Sequence, residues 1–501
     1  IVPEASEKEL TAYLDQIAAA KDLLLAPDAP ALVEHFPDNA DLSTVYARYT
    51  ALLRANRLLD FDDLIYQTVQ LFEEQPAVLQ RYQDRFRWLS VDEYQDINYA
   101  QYRLLRLLTP PGTNLCAIGD PDQAIYGFRG AKREYFLRFQ QDFPAAKLLQ
   151  LDQNYRSTQT ILDAAVQVIA ESSGRATALQ IWSDFVDQTK LQIYQAPTDN
   201  AEAEYVVHQV EQLVGGTSYF SLDTGRTSGT EAEVYSFGDF AVLYRTRAQS
   251  RLLIEAFDRS GIPYQTVGET PLVEYKEIRQ ILAYLWLTVN PTATFYQEQV
   301  YAQARRKDVV RIGYFMPRLQ AAATSESVAQ LIDSVTEFLR IDLQTTFNDA
   351  QNERIARLRR RATTFGRALR DFLEATLLQH ETDHYDPRAD RVTLMTLHAA
   401  KGLEFPVVLI PGCEETLLPY SLAGHDVDLE EERRLFYVGL TRAQRRLILL
   451  HAKRRLLFGQ RVQNEPSRFL LDIAETLKEL KAMASGKAKK PAAEELQLSL
   501  F

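Results

Sequence analysis

The sequence predicts an α/β protein with mostly parallel sheets that is interrupted by an all-helical block. Two observations predict it. Short apolar runs typical of buried strands alternate with helical periodicities as far as about residue 273, and again after residue 388. Between residues 274 and 387 the strand signals are absent and helical periodicity dominates. The helical block therefore splits a domain whose second half resumes downstream.

Length and composition limit the possible classes of protein. A chain of 501 residues has room for about three domains of ordinary size. Its net charge of −12 excludes a generally basic nucleic-acid coat but not a local basic channel. Cys116 and Cys413 are too few for a disulfide framework or a zinc cluster, and both lie in apolar runs typical of buried thiols. Such cysteine usage fits a reducing cytoplasm. No apolar run approaches the ~20 residues that span a bilayer, so we expect no membrane contact.

The first strand ends in two adjacent carboxylates. Helical periodicity covers Glu7–Leu25 and Leu42–Arg57, and a further helix begins within Leu59–Leu64, before the apolar run Phe86–Val91. Asp92 and Glu93 follow that run directly. Because ligands of open α/β sheets bind beyond the carboxyl ends of strands, this pair predicts a magnesium ligand and a general base. The alternative is a surface pair that begins a helix, where acids suit the helix dipole.

A second predicted strand, Leu115–Ile118, also runs into polar residues. Gly-Asp-Pro-Asp-Gln123 follows it, and then Tyr126 and Phe128 are separated by a glycine. Aromatic rings at this spacing can offer stacking platforms for unpaired bases. The alternative is a hydrophobic turn that packs on the core.

A third predicted strand, Lys147–Leu151, leads to Arg156, and a helix is predicted over Thr158–Ala170. A guanidinium at a strand end can meet phosphate oxygens, although a structural ion pair is equally compatible with the pattern. The later elements alternate in the same way. Strands are predicted at 191–196, 239–245, 407–410 and 446–451, and helices at 201–213, 252–259 and 428–440. Residues 391–404 are predicted to form a strand followed by a turn with a glycine.

The helical block contains two basic groups. One is Arg305-Arg306-Lys307, and the other is the stretch Arg354–Arg370, which has seven arginines and is predicted to form one helix. A solvated charged face and a phosphate-contacting surface are both compatible with such runs.

Six blocks of the chain resemble motifs of the UvrD/Rep/PcrA group of superfamily 1 DNA helicases. The blocks are Leu59–Leu64, Val91–Asp96 (Walker B), Gly119–Ala131, Gln153–Ser157, Thr393–Glu404 and Glu431–Ala443. They keep the family order over nearly the whole chain. The resemblance implies P-loop NTPase (RecA-like) domains with parallel sheets, of which the first is incomplete. The expected division is 1–57 (helical remnant), 58–146 (first RecA-like domain), 147–273 with 388–480 (second), 274–387 (helical insertion) and 481–501 (tail).

The resemblance also implies a site for ATP and Mg²⁺. Asp92 would hold magnesium, and Glu93 would activate the attacking water. Gln123 would sense the γ-phosphate, which Arg156 and Arg442 would reach from the second RecA-like domain. Further nucleotide contacts would come from Tyr155, Gly402 and Glu404.

The implied activity is 3′-to-5′ movement on single-stranded DNA, with action at single-strand/double-strand junctions in DNA repair or replication. Tyr126 and Phe128 would stack on bases, although many relatives have Trp at the second position. Arg247 stands where relatives often have Asn, which is a departure from the family's DNA contacts. The other positions that touch DNA in the family are Arg245, His398 and Phe469. We expect a monomer.

The largest departure from the family is a missing Walker A sequence, Gly-x-x-x-x-Gly-Lys-Ser/Thr. The one Gly-Lys pair, Gly486-Lys487, lacks the first glycine. The chain begins at Ile1 rather than Met, which favours a truncated or processed piece. We therefore expect no ATP hydrolysis or unwinding by this chain alone, and an exposed or differently covered edge on its first sheet. The alternative is a non-catalytic DNA-binding or regulatory module. A helicase–nuclease is disfavoured because no cluster of acids with Lys follows the last motif.

The C-terminal segment reads as a flexible tether that ends in a short recognition peptide. Ala484–Ala493 is small, basic and proline-containing. The last five residues resemble the peptide by which bacterial replication proteins bind the sliding clamp, with Gln497, Leu498, Leu500 and Phe501 as contacts. The alternative is a frayed amphipathic tail.

Overall fold

The chain divides into two compact units in the computed structural model. The structure describes residues 6–172, 181–185, 189–215, 235–268, 271–301, 304–377, 385–421, 427–457 and 459–482. Unit 1 comprises residues 1–147 and 267–385, and unit 2 comprises residues 148–266 and 386–501. None of the described helices is long and apolar enough to cross a membrane. The predicted tail contacts Gln497, Leu498, Leu500 and Phe501 lie outside the described residues.

The N-terminal part of unit 1 is mostly helical. Its elements are α1 (Glu7–Asp22), α2 (Pro30–His35), α3 (Leu42–Ala55), α4 (Phe61–Glu74), α5 (Pro76–Arg85), β1 (Trp88–Val91), α6 (Tyr99–Leu108), β2 (Asn114–Ala117), α7 (Glu134–Leu137) and α8 (Phe139–Asp142). Capping boxes at Ser6, Asp60 and Asn98 begin α1, α4 and α6. Lys21, which is 1% exposed, joins α1 to the start of α4 through Asp60 (2.5 Å) and Asp63 (2.9 Å).

The sheet of unit 1 has two parallel strands, β1 and β2. The prediction that both are buried is wrong: the residues of each strand alternate between exposed and partly exposed, and Trp88 is 79% exposed. Cys116, predicted to be a buried thiol, is also exposed. The reason is that two strands alone leave much of their surface without neighbours. Within the described residues, neither β1 nor β2 has a second strand neighbour.

The helical insertion forms the rest of unit 1. Its helices are α12 (Lys276–Val289), α13 (Thr294–Tyr301), α14 (Arg306–Ala322), α15 (Val328–Ile341), α16 (Asp349–Thr363) and α17 (Leu369–Leu377). They pack around an apolar core that includes Ile281, Leu285 and Phe372, each 0% exposed. The prediction of one helix over Arg354–Arg370 is wrong, because Gly366 adopts a left-handed φ of +55° between α16 and α17.

Unit 2 is built on a seven-stranded parallel sheet, which confirms the predicted fold class. Its strands are β3 (Leu191–Ala196), β4 (Phe240–Tyr244), β5 (Tyr264–Thr266), β6 (Val392–Thr396), β7 (Phe405–Ile410), β8 (Ala443–Ala452) and β11 (Lys478–Ala482). The order across the sheet is β11-β3-β8-β7-β4-β6-β5. The unit also contains α9 (Gln159–Ala170), α10 (Asp199–Leu213), α11 (Ser250–Ser260), α18 (Leu429–Leu440) and the antiparallel pair β9 (Arg455–Leu457) and β10 (Gln460–Val462).

Two sequence predictions for unit 2 have opposite outcomes. Cys413 is buried, as predicted. The third predicted strand, Lys147–Leu151, is wrong: within the described residues no strand forms there, and Leu149 and Leu151 are 85% and 91% exposed. This run is apolar enough for a strand, but it has no paired neighbour to complete a ladder.

A buried ion triad joins the loop after β7 to α10 and β9. The Arg455 Nη2 atom lies 2.5 Å from a carboxylate oxygen of Glu202 and 2.7 Å from one of Glu414. Gly412 N donates to the other Glu202 oxygen (2.9 Å), and Ala452 N donates to Glu414 (3.1 Å). Because several hydrogen bonds satisfy both carboxylates, the triad can stay charged inside the unit.

Candidate functional site

The parallel pairing of β1 and β2 brings the first two polar motifs to one edge of the sheet. Val91 is in register with Ala117, so the residues that follow the two strands are neighbours. Tyr94 N donates to Ile118 O (2.9 Å) across this edge. Asp92 and Glu93 lie there with exposed side chains. Exposed carboxylates at a strand end are accessible to a ligand.

Glu93 has an unusual backbone and a fixed side chain. Its φ of +52° lies in the left-handed region, which is uncommon for a residue other than glycine and is typical of functional positions. The side-chain amide of Gln95, which is fully buried, donates to Glu93 Oε2. The other end of that amide accepts a hydrogen bond from Asp120 N (3.1 Å). Gln95 therefore ties the first polar motif to the second.

Gly119 is required by the same contact. A Cβ atom at this position would lie 2.2 Å from Gln95 Oε1, which is closer than real atoms approach. The sequence prediction did not include Gln95. An amide two residues after a strand-end acid pair, within an otherwise apolar and acidic run, was the signal that could have identified it.

The second motif holds Gln123 near the same edge. Gln123 Nε2 donates to Asp120 Oδ2 (3.0 Å), and Asp120 Oδ1 accepts from Asp122 N (2.9 Å). Asp122 is 2% exposed and lies 3.3 Å from Arg133 Nη2. A buried ion pair thus supports the turn that presents the Gln123 amide.

Tyr126 and Phe128 form a small aromatic cluster with Arg129. The ring centroids lie 6.1 Å apart at an interplanar angle of 53°. The Arg129 guanidinium lies 5.4 Å from the Tyr126 ring centroid and 5.5 Å from that of Phe128. Phe128 is 64% exposed, and burial raises the pKa of Tyr126, which stays neutral. Two neutral rings beside a cation suit stacking on bases next to a phosphate backbone.

In unit 2, Arg156 and Glu404 form an ion pair. Arg156 Nε lies 2.5 Å from Glu404 Oε2, and its Nη1 donates to Thr441 O (3.3 Å). Gln444 Nε2 donates to the other Glu404 oxygen (3.0 Å). The hydrogen bond from Arg156 lowers the pKa of Glu404, so this carboxylate is ionised at neutral pH.

A local turn sets the position of Arg156. Asn154 Oδ1 accepts hydrogen bonds from the backbone N–H groups of Arg156 and Ser157, both at 2.8 Å. The buried Ser157 hydroxyl then donates to Ala443 O (2.6 Å). The segment Gln153–Ser157 is thus attached to the junction between α18 and β8.

Arg442 lies in the same region but points inward. The residue is 1% exposed, and its guanidinium donates to the carbonyl oxygens of Val438 (3.0 Å) and Leu403 (3.2 Å). In this conformation it does not present a free guanidinium to a ligand. Reaching a phosphate would require these bonds to be exchanged.

The other residues predicted to contact the nucleotide are exposed or conformationally special. Tyr155 is 75% exposed, and its hydroxyl donates to Gln153 Oε1 (2.6 Å). Gly402 has a left-handed φ of +84°, which favours glycine in the turn before Glu404.

Three residues were predicted to touch DNA from unit 2. Arg245 makes a bidentate pair with Glu432 (2.6 and 3.1 Å) and lies 5.0 Å from the Tyr420 ring centroid. His398 is half-buried in the turn after β6. The expectation for Phe469 needs correction, because this ring is 0% exposed. It packs on another aromatic ring inside the unit, that of Phe436, at 5.6 Å, so it has no surface for a base.

The carboxylates at the end of β1 suit magnesium rather than a metal held entirely by protein. Among the described residues no group of three or more His, Cys, Asp or Glu could hold a metal ion. Magnesium at nucleotide sites usually takes one or two carboxylates together with phosphate oxygens and water. Asp92 and Glu93 fit that donor set.

Comparisons with known proteins agree on one family. A family model described as the UvrD/REP helicase N-terminal domain matches residues 3–144. A second model, the UvrD-like helicase C-terminal domain, matches residues 149–307 and 293–454. Together these matches cover most of the chain.

Curated relatives show the same similarity. The chain is 35% identical to the ATP-dependent DNA helicase PcrA of Leuconostoc citreum over 522 residues, which covers 93% of this chain and 67% of the relative. It is 36% identical to the PcrA helicase of Staphylococcus aureus strain Mu50, over 89% of this chain and 66% of the relative. For PcrA of Staphylococcus epidermidis the identity is 36%, over 87% and 64%. The chain thus spans about two thirds of the length of these relatives.

Proposed function

The chain belongs to the UvrD/REP helicase family, and from this premise we propose that it acts in an ATP-dependent DNA helicase that moves 3′ to 5′ on single-stranded DNA. The observation that carries the proposal is the β1–β2 pair. Its parallel register gathers Asp92, Glu93 and Gln123 at one sheet edge, which Gln95 braces. This is the arrangement that nucleotide hydrolysis requires of a strand-end site.

In this proposal the two carboxylates have different roles. Asp92 would hold Mg²⁺, which would neutralise charge on the phosphates of ATP. Glu93 would accept a proton from the attacking water, and the amide of Gln95 would keep its carboxylate in position. Gln95 also accepts a hydrogen bond from Asp120 N. A movement of the Asp120–Gln123 turn would therefore move Gln95 and, through it, the Glu93 carboxylate.

Arg156 and Arg442 would act on the γ-phosphate as arginine fingers within one chain. Arg156 would exchange its bond to Glu404 for phosphate oxygens, which are equally good acceptors. Arg442 would exchange its carbonyl partners in the same way. We propose Tyr155 and Gly402 as further contacts to the nucleotide.

The DNA strand would pass the aromatic cluster of unit 1. Tyr126 and Phe128 would stack on bases, while Arg129 would meet the backbone. Arg245 and His398 would contribute from unit 2. We propose action at single-strand/double-strand junctions in DNA repair or replication, by a monomer in the cytoplasm.

We further propose that this chain alone does not hydrolyse ATP. Its sequence contains no Walker A motif, so it lacks the Lys and the backbone N–H groups that cradle the β- and γ-phosphates. The same feature favours a second candidate function, a DNA-binding or regulatory module without catalysis.

An unwinding assay tests the proposed function. The chain would be fused behind a segment that carries a Walker A sequence, and 3′-tailed and 5′-tailed duplexes would be compared. We expect ATP-dependent unwinding of the 3′-tailed duplex, with loss of activity in the Glu93→Gln variant of the same fusion. DNA binding without any ATP-dependent unwinding would favour the non-catalytic module instead.

The last five residues form a separate proposal. Leu498, Leu500 and Phe501 would enter an apolar cleft of the sliding clamp, with Gln497 as a polar contact. Deletion of residues 497–501 is expected to abolish clamp binding in surface plasmon resonance. Unchanged affinity would contradict this proposal.

A further inference from the structure

We propose that a cavity in the helical insertion binds a small molecule that carries two or more linked phosphates. The cavity has a volume of about 540 Å³ and lies beside the first turns of α12 and α14 and the loop after α15. Its volume falls within the range of small-molecule sites, about 300–1,000 Å³. The proposal is independent of the nucleotide site at the end of β1.

The cavity is positively charged, whereas the chain as a whole is negatively charged. Five cationic side chains line it, against the one carboxylate of Asp308. The five are Lys276, Arg279, Arg305, Lys307 and Arg311. The whole chain carries a net charge of −12, so this concentration of positive charge is local. A concave, cationic surface attracts anions more strongly than the same charges spread on a flat face.

Most of these cations lack an ion-pair partner. Within the described residues Lys276, Arg279, Arg305 and Lys307 make no salt bridge. Arg311 donates to the carbonyl oxygen of Asp342 and lies 3.9 Å from Asp308. The positive charge of the cavity is therefore largely available to a ligand.

Arginines elsewhere in the insertion behave differently. On α16, Arg354 lies 2.6 Å from Glu277, Arg359 lies 2.8 Å from Asp333, and Arg360 lies 2.8 Å from Glu353. Of the two readings of the basic runs, these pairs favour a solvated charged face for α16. By contrast, Arg305 and Lys307 of the first basic group line the cavity and make no salt bridge within the described residues.

The N-termini of two helices add to the attraction of the cavity for anions. The first turns of α12 and α14 supply Lys276 and Lys307 to the lining, so the positive dipole ends of both helices lie close to the cavity. α14 is 17 residues long and presents a full first turn. Two helix starts and five cations together provide several donors for phosphate oxygens.

The remaining lining suits an organic group attached to the phosphates. Val300, Ile312 and Leu343 provide apolar surface, and Gln280 provides an amide. Burial raises the pKa of Tyr284, so its hydroxyl stays protonated and can donate a hydrogen bond. A sugar or base could occupy this part while the phosphates meet the cations.

The concave form favours a small anion over a nucleic-acid backbone. A duplex is a convex rod and would contact a continuous basic track, whereas the arginines of α16 are already paired with acids. Linked phosphates on a flexible small molecule can enter the cavity and meet several cations together. Nucleic-acid binding at this site is the outcome against which the proposal is tested.

Binding of inorganic tripolyphosphate to the full chain provides the test. Isothermal titration calorimetry would compare the wild type with two triple variants of equal charge change. The cavity variant carries Arg279→Gln, Arg305→Gln and Lys307→Gln. The control carries Arg318→Gln, Arg367→Gln and Arg370→Gln, all outside the cavity lining. We expect at least tenfold weaker binding in the cavity variant and less than twofold change in the control, with equal melting temperatures in both.

Competition identifies the source of the phosphates. ATP and ADP are expected to displace tripolyphosphate, whereas a 20-base-pair duplex without terminal phosphates is expected not to. The proposal is overturned if the wild type does not bind tripolyphosphate, or if both triple variants lose binding equally. Displacement by the duplex but not by nucleotides would also overturn it and would assign the cations to a DNA backbone.

Discussion

The β1–β2 sheet of unit 1 and the seven-stranded sheet of unit 2 contrast sharply, although both contain mostly apolar strands. In unit 2, β4 is buried along its whole length, and Phe240 to Leu243 are each 0% exposed. In unit 1, three of the four residues of β1 are apolar, yet Trp88 is 79% exposed. The difference lies in the neighbours, because β4 pairs on both sides whereas β1 pairs only with β2. An apolar run indicates that a strand can form, but its neighbours decide whether the strand is buried.

The same contrast extends to the functional groups. The carboxylates of unit 1 are exposed at the end of a sparsely paired strand, whereas Arg442 of unit 2 is held inside a complete fold. The two carboxylates are open to ligands, and that of Glu93 is held by the amide of Gln95. A group inside a complete sheet is well supported but must exchange internal bonds before it can act.

The largest expected effect concerns the buried triad of unit 2. Arg455→Met would leave Glu202 and Glu414 as unpaired buried charges, so we expect unit 2 to lose about 3–5 kcal/mol of stability. Urea denaturation would measure the loss. Arg468→Met is the matched control, since Arg468 pairs with Glu415 at the surface, and we expect a cost of at most about 1 kcal/mol. Equal losses of stability in both variants would show that the buried triad contributes no more than the surface pair.

The next prediction compares the sheets directly. Leu409→Ala in β7 would open a cavity in a fully buried strand, at an expected cost of about 2–5 kcal/mol. Trp88→Ala in β1 is expected to cost no more than about 0.5 kcal/mol, because that ring is mostly exposed. Thermal or urea unfolding would compare the two. A large cost at Trp88 would mean that something covers β1 in solution.

A smaller, pH-dependent effect is expected at Asp22, at the end of α1. Burial, and then the charge of Asp62, raise the pKa of Asp22 to about 7. The folded chain therefore binds a proton more readily than the unfolded chain. The stability from this group is fully present below about pH 4, the ordinary pKa range of a carboxyl, and is lost progressively as the pH rises to about 7.

Asp22→Asn would remove that dependence. Asn98 Nδ2 would keep an oxygen acceptor at this position, where it now donates to Asp22 Oδ1 (2.6 Å). We expect the variant to be more stable than the wild type at pH 8 by about 1 kcal/mol, after solvent screening of a half-buried group is allowed for. The gain should shrink as the pH falls and disappear below about pH 4. Asp38→Asn, at an exposed position, is the control; the same pH profile in both variants would contradict the assignment.

Much of unit 2 could be predicted from the sequence. The strand over residues 191–196 is observed with those bounds, and the helix after Thr158 begins one residue later. These elements have strong hydrophobic periodicity, and neighbouring strands or helices pack against them. β5 and β11 were missed, since they are short or carry alternating charges at a sheet edge.

The site was predicted in part. The acids at the end of β1 follow from the sequence, because a strand end is readable from the apolar run before it. The brace by Gln95, the bond from Arg442 to Leu403 O and the packing of Phe469 on Phe436 join segments that are distant in the chain. Local sequence patterns carry no information about such contacts.

The most direct measurement is Mg²⁺-dependent ATP hydrolysis by residues 1–501 in the presence of single-stranded DNA, beside the Glu93→Gln variant. The central claim is that this chain carries the strand-end acids of a helicase motor without the Walker A phosphate cradle. It predicts that the wild type and the variant show the same background rate, with or without DNA. DNA-stimulated hydrolysis that Glu93→Gln abolishes would contradict it.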